Sequence, residues 1–329
     1  MHGLTVWRIL YASILLTLSA TTAAARASVR EPVPGDAVRN IIAAFKQHPI
    51  VVIGEAHWLR QPSDFYVRLV RDQAFQETVQ DIVIEFASQN NQPLLDRYIS
   101  GEILPIEDVR HIWRDTTKVA SWESPIYADW LAAIREVNQG LPVARRLRVL
   151  AGDTAIDWSK IQSHSDWAAL GDNNISISNV VISQVLEKKH HALVVLGSNH
   201  VTKSGDRNGG DNATTRIESR YRGATYVVML LYVGALDHAL EDQLGLSQEN
   251  APALYELAGT PQAKVRDPNG VLLIERVDAL LYLGPRQGFS LTLPPAGSLE
   301  PLYLKEIDRR SMIEWGELRA RKFLGPAAQ

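Results

Sequence analysis

The chain has 329 residues, 34 Lys and Arg against 37 Asp and Glu, a net charge of −3 and no cysteine. The missing cysteine excludes disulfides, thiolate catalysis, thiolate metal sites and lipidation of an amino-terminal cysteine, and nowhere do Lys and Arg cluster into the basic patch that nucleic acid requires. A hydrophobic fraction of 46% with eight Trp suffices for a large core.

In the first 27 residues Arg8 precedes an uncharged apolar stretch over 9–20, and Ala25-Arg26-Ala27 places small residues at the minus-three and minus-one positions of a cleavage site. This is the pattern of a secretory signal peptide, with an apolar core shorter than the roughly 20 residues a spanning helix needs. The expectation is an exported protein, periplasmic or secreted, not lipidated, with no transmembrane segment after signal removal and with residues 28–329 as a single α/β domain.

Over 36–47 the apolar residues Val38, Ile41, Ile42, Ala44 and Phe45 fall at helical spacing behind Asp36 as N-cap, and His48-Pro49 ends the helix. A first strand follows at 50–54, then a helix capped by Ser63 or Asp64 and running to about 75, then a second strand at 81–85. Residues 88–140 hold three helices, opened by Gln92-Pro93, Leu104-Pro105 and Ser124-Pro125, of which the first and third close at Gly101 and Gly140. They form a helical insertion after the second strand that roofs the cleft, and its aromatic residues Tyr98, Trp113, Trp122, Tyr127 and Trp130 read as packing. A third strand is expected at 147–151, a helix near 176–189, and further strands at 192–196, 224–232 and 278–283. The polar, Gly-rich stretch 203–215 reads as a mobile loop beside His200. Short β-branched runs alternating with helices predict an α/β fold with a mainly parallel central sheet and crossover helices.

Four of these strands are followed by a side chain of catalytic type: Glu55 and His57, Glu85, Asp153, and His200. A parallel sheet gathers its chemistry at the carboxyl ends of its strands, so these groups should converge on one cleft. Glu55 and His57 stand two apart and point the same way in an extended chain. A carboxylate beside an imidazole fixes its tautomer and stabilises its protonated form, which a general base requires, although the same pair can tether a loop. Glu85 ends a doubly buried strand, where a carboxylate needs a partner, either an arginine or a catalytic group. Arg148 and Asp153 bracket the third strand, Gly152 lets backbone approach a ligand, and Arg148, Asp153 and Asn199 are the expected substrate-binding residues. His200 suits orientation of a carbonyl, general acid work or metal binding. His57, Glu55, Glu85 and His200 together form a mixed nitrogen and oxygen set for Zn²⁺ or Mn²⁺, while the sequence contains neither a helical H-E-x-x-H nor a G-x-S-x-G elbow.

Gly54-Glu55-Ala56-His57, Val83-Ile84-Glu85 and Val195-Leu196-Gly197-Ser198-Asn199-His200-Val201 resemble the motifs of the superfamily that unites erythromycin esterases, ChaN-like haem-binding uptake proteins and Tiki metalloproteases. The likeness covers about residues 50–285. Residues 92–102 look like the ChaN-like branch, whereas 122–138 and 148–153 look more like the esterases, whose Glu and His are usually spaced more widely. The resemblance implies an α/β fold with inserted helices. In the esterase branch the histidine matching His57 would activate a water against an ester or lactone, with Glu55 and Glu85 orienting it and His200 assisting; in the Tiki branch the same positions would hold a divalent metal. The ChaN-like branch binds haem in lipoproteins through a tyrosine, to which neither Tyr66, Tyr98 nor another tyrosine here is securely matched, and this chain has no cysteine to lipidate. The leading expectation is an exported hydrolase-like protein acting on an ester, lactone or amide of a small molecule or peptide. The alternative is a haem-binding or iron-uptake protein without catalysis.

Overall fold

The computed structural model describes residues 33–206, 209–231, 240, 243–244, 246, 251–267 and 269–325. The expected signal peptide, residues 207 and 208 of the polar loop and the last residue of the expected strand 224–232 lie outside them.

One sheet carries the fold. Its strands are β1 (Gly35–Asp36), β2 (Ile50–Glu55), β3 (Asp81–Ser88), β4 (Arg148–Asp153), β5 (Ala192–Gly197), β6 (Thr225–Leu230), β7 (Ala253–Glu256) and β8 (Ala279–Tyr282), in the order β1-β7-β8-β6-β2-β5-β3-β4. From β8 to β4 every neighbouring pair is parallel, and β7 and β1 add an antiparallel margin. Every residue of β2, β3 and β5 is buried, which is why these strands are continuous apolar runs rather than alternating ones.

The two-residue period of the strands divides their side chains between two cores. Val51, Ile53, Ile82, Ile84, Leu193 and Val195 enter one; Ile50, Val52, Val83, Val194 and Leu196 enter the other. The first is covered by α1 (Ala37–Ala44), α2 (Arg60–Arg71), α3 (Gln73–Thr78) and the inserted helices α4 (Gln92–Ser100), α5 (Ile106–Arg114) and α6 (Pro125–Gly140). Beyond the short α7 (His164–Ala168), the second is covered by α8 (Asn173–Val180) and α9 (Ala213–Arg220), with α10 (Leu273–Arg276) beside them. A third cluster joins Ile156, Trp158 and Ile161 to Leu299, Ile307 and Ile313 around α11 (Pro301–Trp315).

The expected mainly parallel α/β sheet is present, and so are the three inserted helices. Asp36 caps α1 by accepting from Arg39 N at 2.8 Å, and Gly101 closes α4 with φ +104°. Other boundaries differ. The second helix starts at Arg60, three residues before the expected caps, because Leu59 is extended and Pro62 sits in the first turn, where its missing N–H costs nothing. It also breaks at Asp72, which is extended and caps α3 through Phe75 N at 3.2 Å. The helix expected over 176–189 begins at Asn173 and ends in a π-helical turn, Val181–Leu186. The polar stretch 203–215 already contains the start of α9, capped by Asn212.

Candidate active site

Glu55 closes β2, and the chain leaves the sheet through Ala56 and His57 before turning at Trp58, whose φ is +68°. A bulky residue in the left-handed region is costly and persists only when its surroundings hold it there. Trp58 is held by three contacts: its indole N–H donates to Ser121 O at 2.7 Å, its carbonyl accepts from Thr292 N at 2.7 Å, and its ring lies against Phe323.

This turn presents His57 to the sheet end. Its Nδ1 lies 2.7 Å from Oε1 of the buried Glu55, and its Nε2 lies 3.9 Å from Oε1 of the buried Glu85. The other oxygen of Glu85 accepts from Gly197 N at 2.5 Å, which ties β3 to the end of β5. Glu55 also receives the Tyr127 hydroxyl at 3.4 Å, and Trp122 stands edge-on to the His57 ring with centroids 4.6 Å apart. The imidazole keeps a third of its surface open. Burial disfavours the imidazolium, but the hydrogen bond and charge of Glu55, reinforced by the charge of Glu85, outweigh it, and the pKa of His57 rises above its ordinary value.

Asp153 ends β4 almost wholly buried. Its two oxygens accept from Thr117 N and from Thr117 Oγ1, each at 2.6 Å. Burial, with the charge of Glu85 in support, pushes its carboxyl up to about 7 against the lowering effect of the Thr117 hydrogen bonds. Both oxygens are thus engaged inside the protein, which gives Asp153 a different task from the expected substrate contact.

The remaining expected residues are dispersed. Arg148 opens β4 at the far end of the sheet from Glu85. There it forms a two-pronged ion pair with Asp81, through Nε at 2.6 Å and Nη2 at 2.9 Å, with His190 beside it. Its place before the strand already put it at the amino end, where no parallel sheet gathers ligands. His200 is half-buried just past β5, its Nδ1 engaged by Asn174 Oδ1 at 2.7 Å, and the neighbouring Asn199 is exposed. The structure therefore brings together Glu55, His57 and Glu85, with Asp153 behind them.

The four-residue metal set does not fit this geometry. Among the described residues no three His, Asp or Glu side chains come together in a group able to hold an ion. Tyr66 of α2 and the roof tyrosines Tyr98 and Tyr127 are engaged. Tyr66 is buried against Trp130, the Tyr127 hydroxyl is turned onto Glu55, and Tyr98 carries the Arg135 guanidinium over its ring, so none offers an open phenolate to iron. Among the described residues no helix is long and apolar enough to cross a membrane.

Trp122, Tyr127, Thr117 and Gly197 are site residues that strand-end reasoning did not single out. The glycine was visible inside Gly-Ser-Asn-His, and Trp122 and Tyr127 stood among the aromatic residues read as packing; Thr117 meets the site from an irregular segment and carries no periodic mark.

No family model matches the chain, and no curated protein matches it in sequence. Solved structures do. A succinoglycan biosynthesis protein superposes with a TM-score of 0.58 at 11% identity, covering 77% of this chain and 94% of that one. The chain shares the fold of that protein. A Bacillus cereus protein gives 0.48 at 11% identity over 76% and 98% of the two chains. The haem-binding ChaN of Campylobacter jejuni gives 0.37 at 11% identity over 60% and 86%. At such identities the likeness speaks to fold alone.

Proposed function

We propose that the protein is an exported hydrolase in which His57 is the general base for attack of water on an ester, lactone or amide. Export rests on the sequence pattern of residues 1–27. The observation that carries the chemistry is the 2.7 Å contact between Glu55 Oε1 and His57 Nδ1. It assigns the proton to Nδ1, which donates to the carboxylate, and leaves the lone pair of Nε2 free to take a proton. Nε2 and Glu85 Oε1 are 3.9 Å apart, too far for a direct hydrogen bond and well spaced for a water that contacts both.

His57 takes one proton from that water as its oxygen bonds to the carbonyl carbon. The same proton passes from Nε2 to the leaving oxygen or nitrogen as its bond to carbon breaks, which releases an acid and an alcohol or amine.

The test is a panel of esters, lactones and amides assayed with the wild type, His57→Ala and Glu55→Gln, with circular dichroism to verify folding. Turnover in the wild type and its loss in folded His57→Ala is the expected result. An unchanged rate in that variant overturns the assignment.

A further inference from the structure

We infer that Asp153 is a positioning residue, which acts on His57 through the segment 116–124 of the roof. The inference rests on the proposed role of His57 and adds to it the device that sets the ring. Segment 116–124 is irregular, and Ala120 within it has φ +58°, a conformation that alanine disfavours. It keeps this shape because it is tied at several points. Thr116 O accepts from Trp158 Nε1 at 3.0 Å, Thr117 O from Trp167 Nε1 at 3.3 Å, and Val119 N donates to Glu314 Oε2 at 3.3 Å. All these partners belong to the layer around α11 or pack on it. Asp153 alone in this set is a sheet residue, and its two 2.6 Å bonds to Thr117 register the segment against the strand ends.

What the segment carries makes this registration matter. Four residues beyond Thr117, Ser121 O receives the indole N–H of Trp58 and so fixes the turn after His57. Five beyond it, Trp122 sets its edge against the imidazole. Glu55 fixes Nδ1 of His57, while the Asp153 clamp fixes the walls between which the ring stands. Besides Thr117 the Asp153 carboxylate meets only the backbone N–H of Thr154 next to it, and it lies beside Glu85, where an added charge is unwelcome.

The experiment compares wild type, Asp153→Ala, Asp153→Asn and Thr117→Val by the imidazole resonances of His57 in proton-nitrogen and proton-carbon NMR, beside activity on any substrate found. Asn keeps an acceptor for Thr117 N and offers a donor to Thr117 Oγ1, so it preserves the clamp without the charge. The expected result is a displaced His57 resonance in Asp153→Ala, as the ring-current field of Trp122 shifts, with kcat reduced at least tenfold and KM little changed. Asp153→Asn should restore both. Wild-type His57 resonances in folded Asp153→Ala overturn the inference, and so does an Asn variant as perturbed as Ala, which would make charge the cause. Where Asp153→Ala fails to fold, Thr117→Val carries the same test, because it keeps shape and removes one of the two bonds. If the resonances move as expected while no protein, wild type included, hydrolyses any substrate, the positioning role stands and the hydrolase reading falls.

Discussion

A Cβ placed on Gly197 would stand 3.1 Å from Cε1 and 3.3 Å from Nε2 of His57, and 3.5 Å from Oε2 of Glu85. The glycine thus forms the floor on which the imidazole rests, and its N–H holds Glu85 from the same position. Its φ of −53° is open to any residue, so the constraint is space and not backbone conformation. Gly197→Ala should fold with nearly unchanged thermal stability yet tilt His57 away from Glu85. A displacement of this kind costs on the order of 100-fold in rate, which steady-state kinetics beside a melting curve would measure. Normal kcat in this variant would show that the ring is not set from below.

The raised pKa of His57 gives the pH profile a definite sign. A general base works when unprotonated, so kcat/KM should fall as pH drops through a value above 6.5. Burial lowers that value, and the hydrogen bond and charge of Glu55, together with the charge of Glu85, raise it further than burial lowers it. Glu55→Gln should therefore slow turnover by about 100-fold or more and move the limb to lower pH. A limb that stays in place would mean that Glu55 does not control the base.

Stability should also depend on pH, in one direction. Asp153 and Glu314 both have carboxyls raised to about 7 by burial, above their values in an unfolded chain. Such groups bind protons more readily in the folded state, so their contribution is complete below the unfolded pKa and is lost as pH rises through the folded one. His57, raised from 6.5, adds the same sign. Melting temperature should fall between pH 5 and pH 8, and Asp153→Asn should flatten the slope, since it removes the most deeply buried contributor, worth on the order of a few kcal/mol. An equally steep slope in the Asn variant would mean that Asp153 is already ionised in the fold.

Much of this architecture is legible in the sequence, and the gaps have physical causes. The runs at 50–54, 82–84, 149–151 and 192–196 announce parallel strands because burial on both faces leaves no polar side chain in them. Glu55, His57 and Glu85 stand out because a charge after such a run needs a reason. β1 and β7 are two and four residues long, too short to show a period, and exist because β8 pairs with β7 and β7 in turn with β1. The Thr117 clamp spans 36 residues, and no local pattern records a bond between a loop and a distant strand end.

Gln92 shows a further such bond. β4 ends the sheet, and an unprotected edge is a template for pairing with another chain. Here two amide side chains occupy that edge as a neighbouring peptide would. Gln92 donates from Nε2 to Val149 O at 2.8 Å and accepts Ala151 N at 2.7 Å, while Asn138 donates to Leu147 O and accepts Leu147 N, both at 2.8 Å. Gln92 opens α4 and Asn138 lies near the end of α6, so the inserted helices close the sheet as well as roof the cleft. Gln92→Ala should leave one N–H and one C=O of β4 unpaired, at a cost of about 1–3 kcal/mol for each group that water does not reach. It should also raise self-association, seen as a concentration-dependent shift in analytical ultracentrifugation. Gln92→Glu, which keeps the acceptor for Ala151 and loses the donor to Val149, should fall between the two in stability and, through its charge, remain monomeric. If the Ala variant melts like the wild type and sediments like it at high concentration, the amides are not what guards this edge.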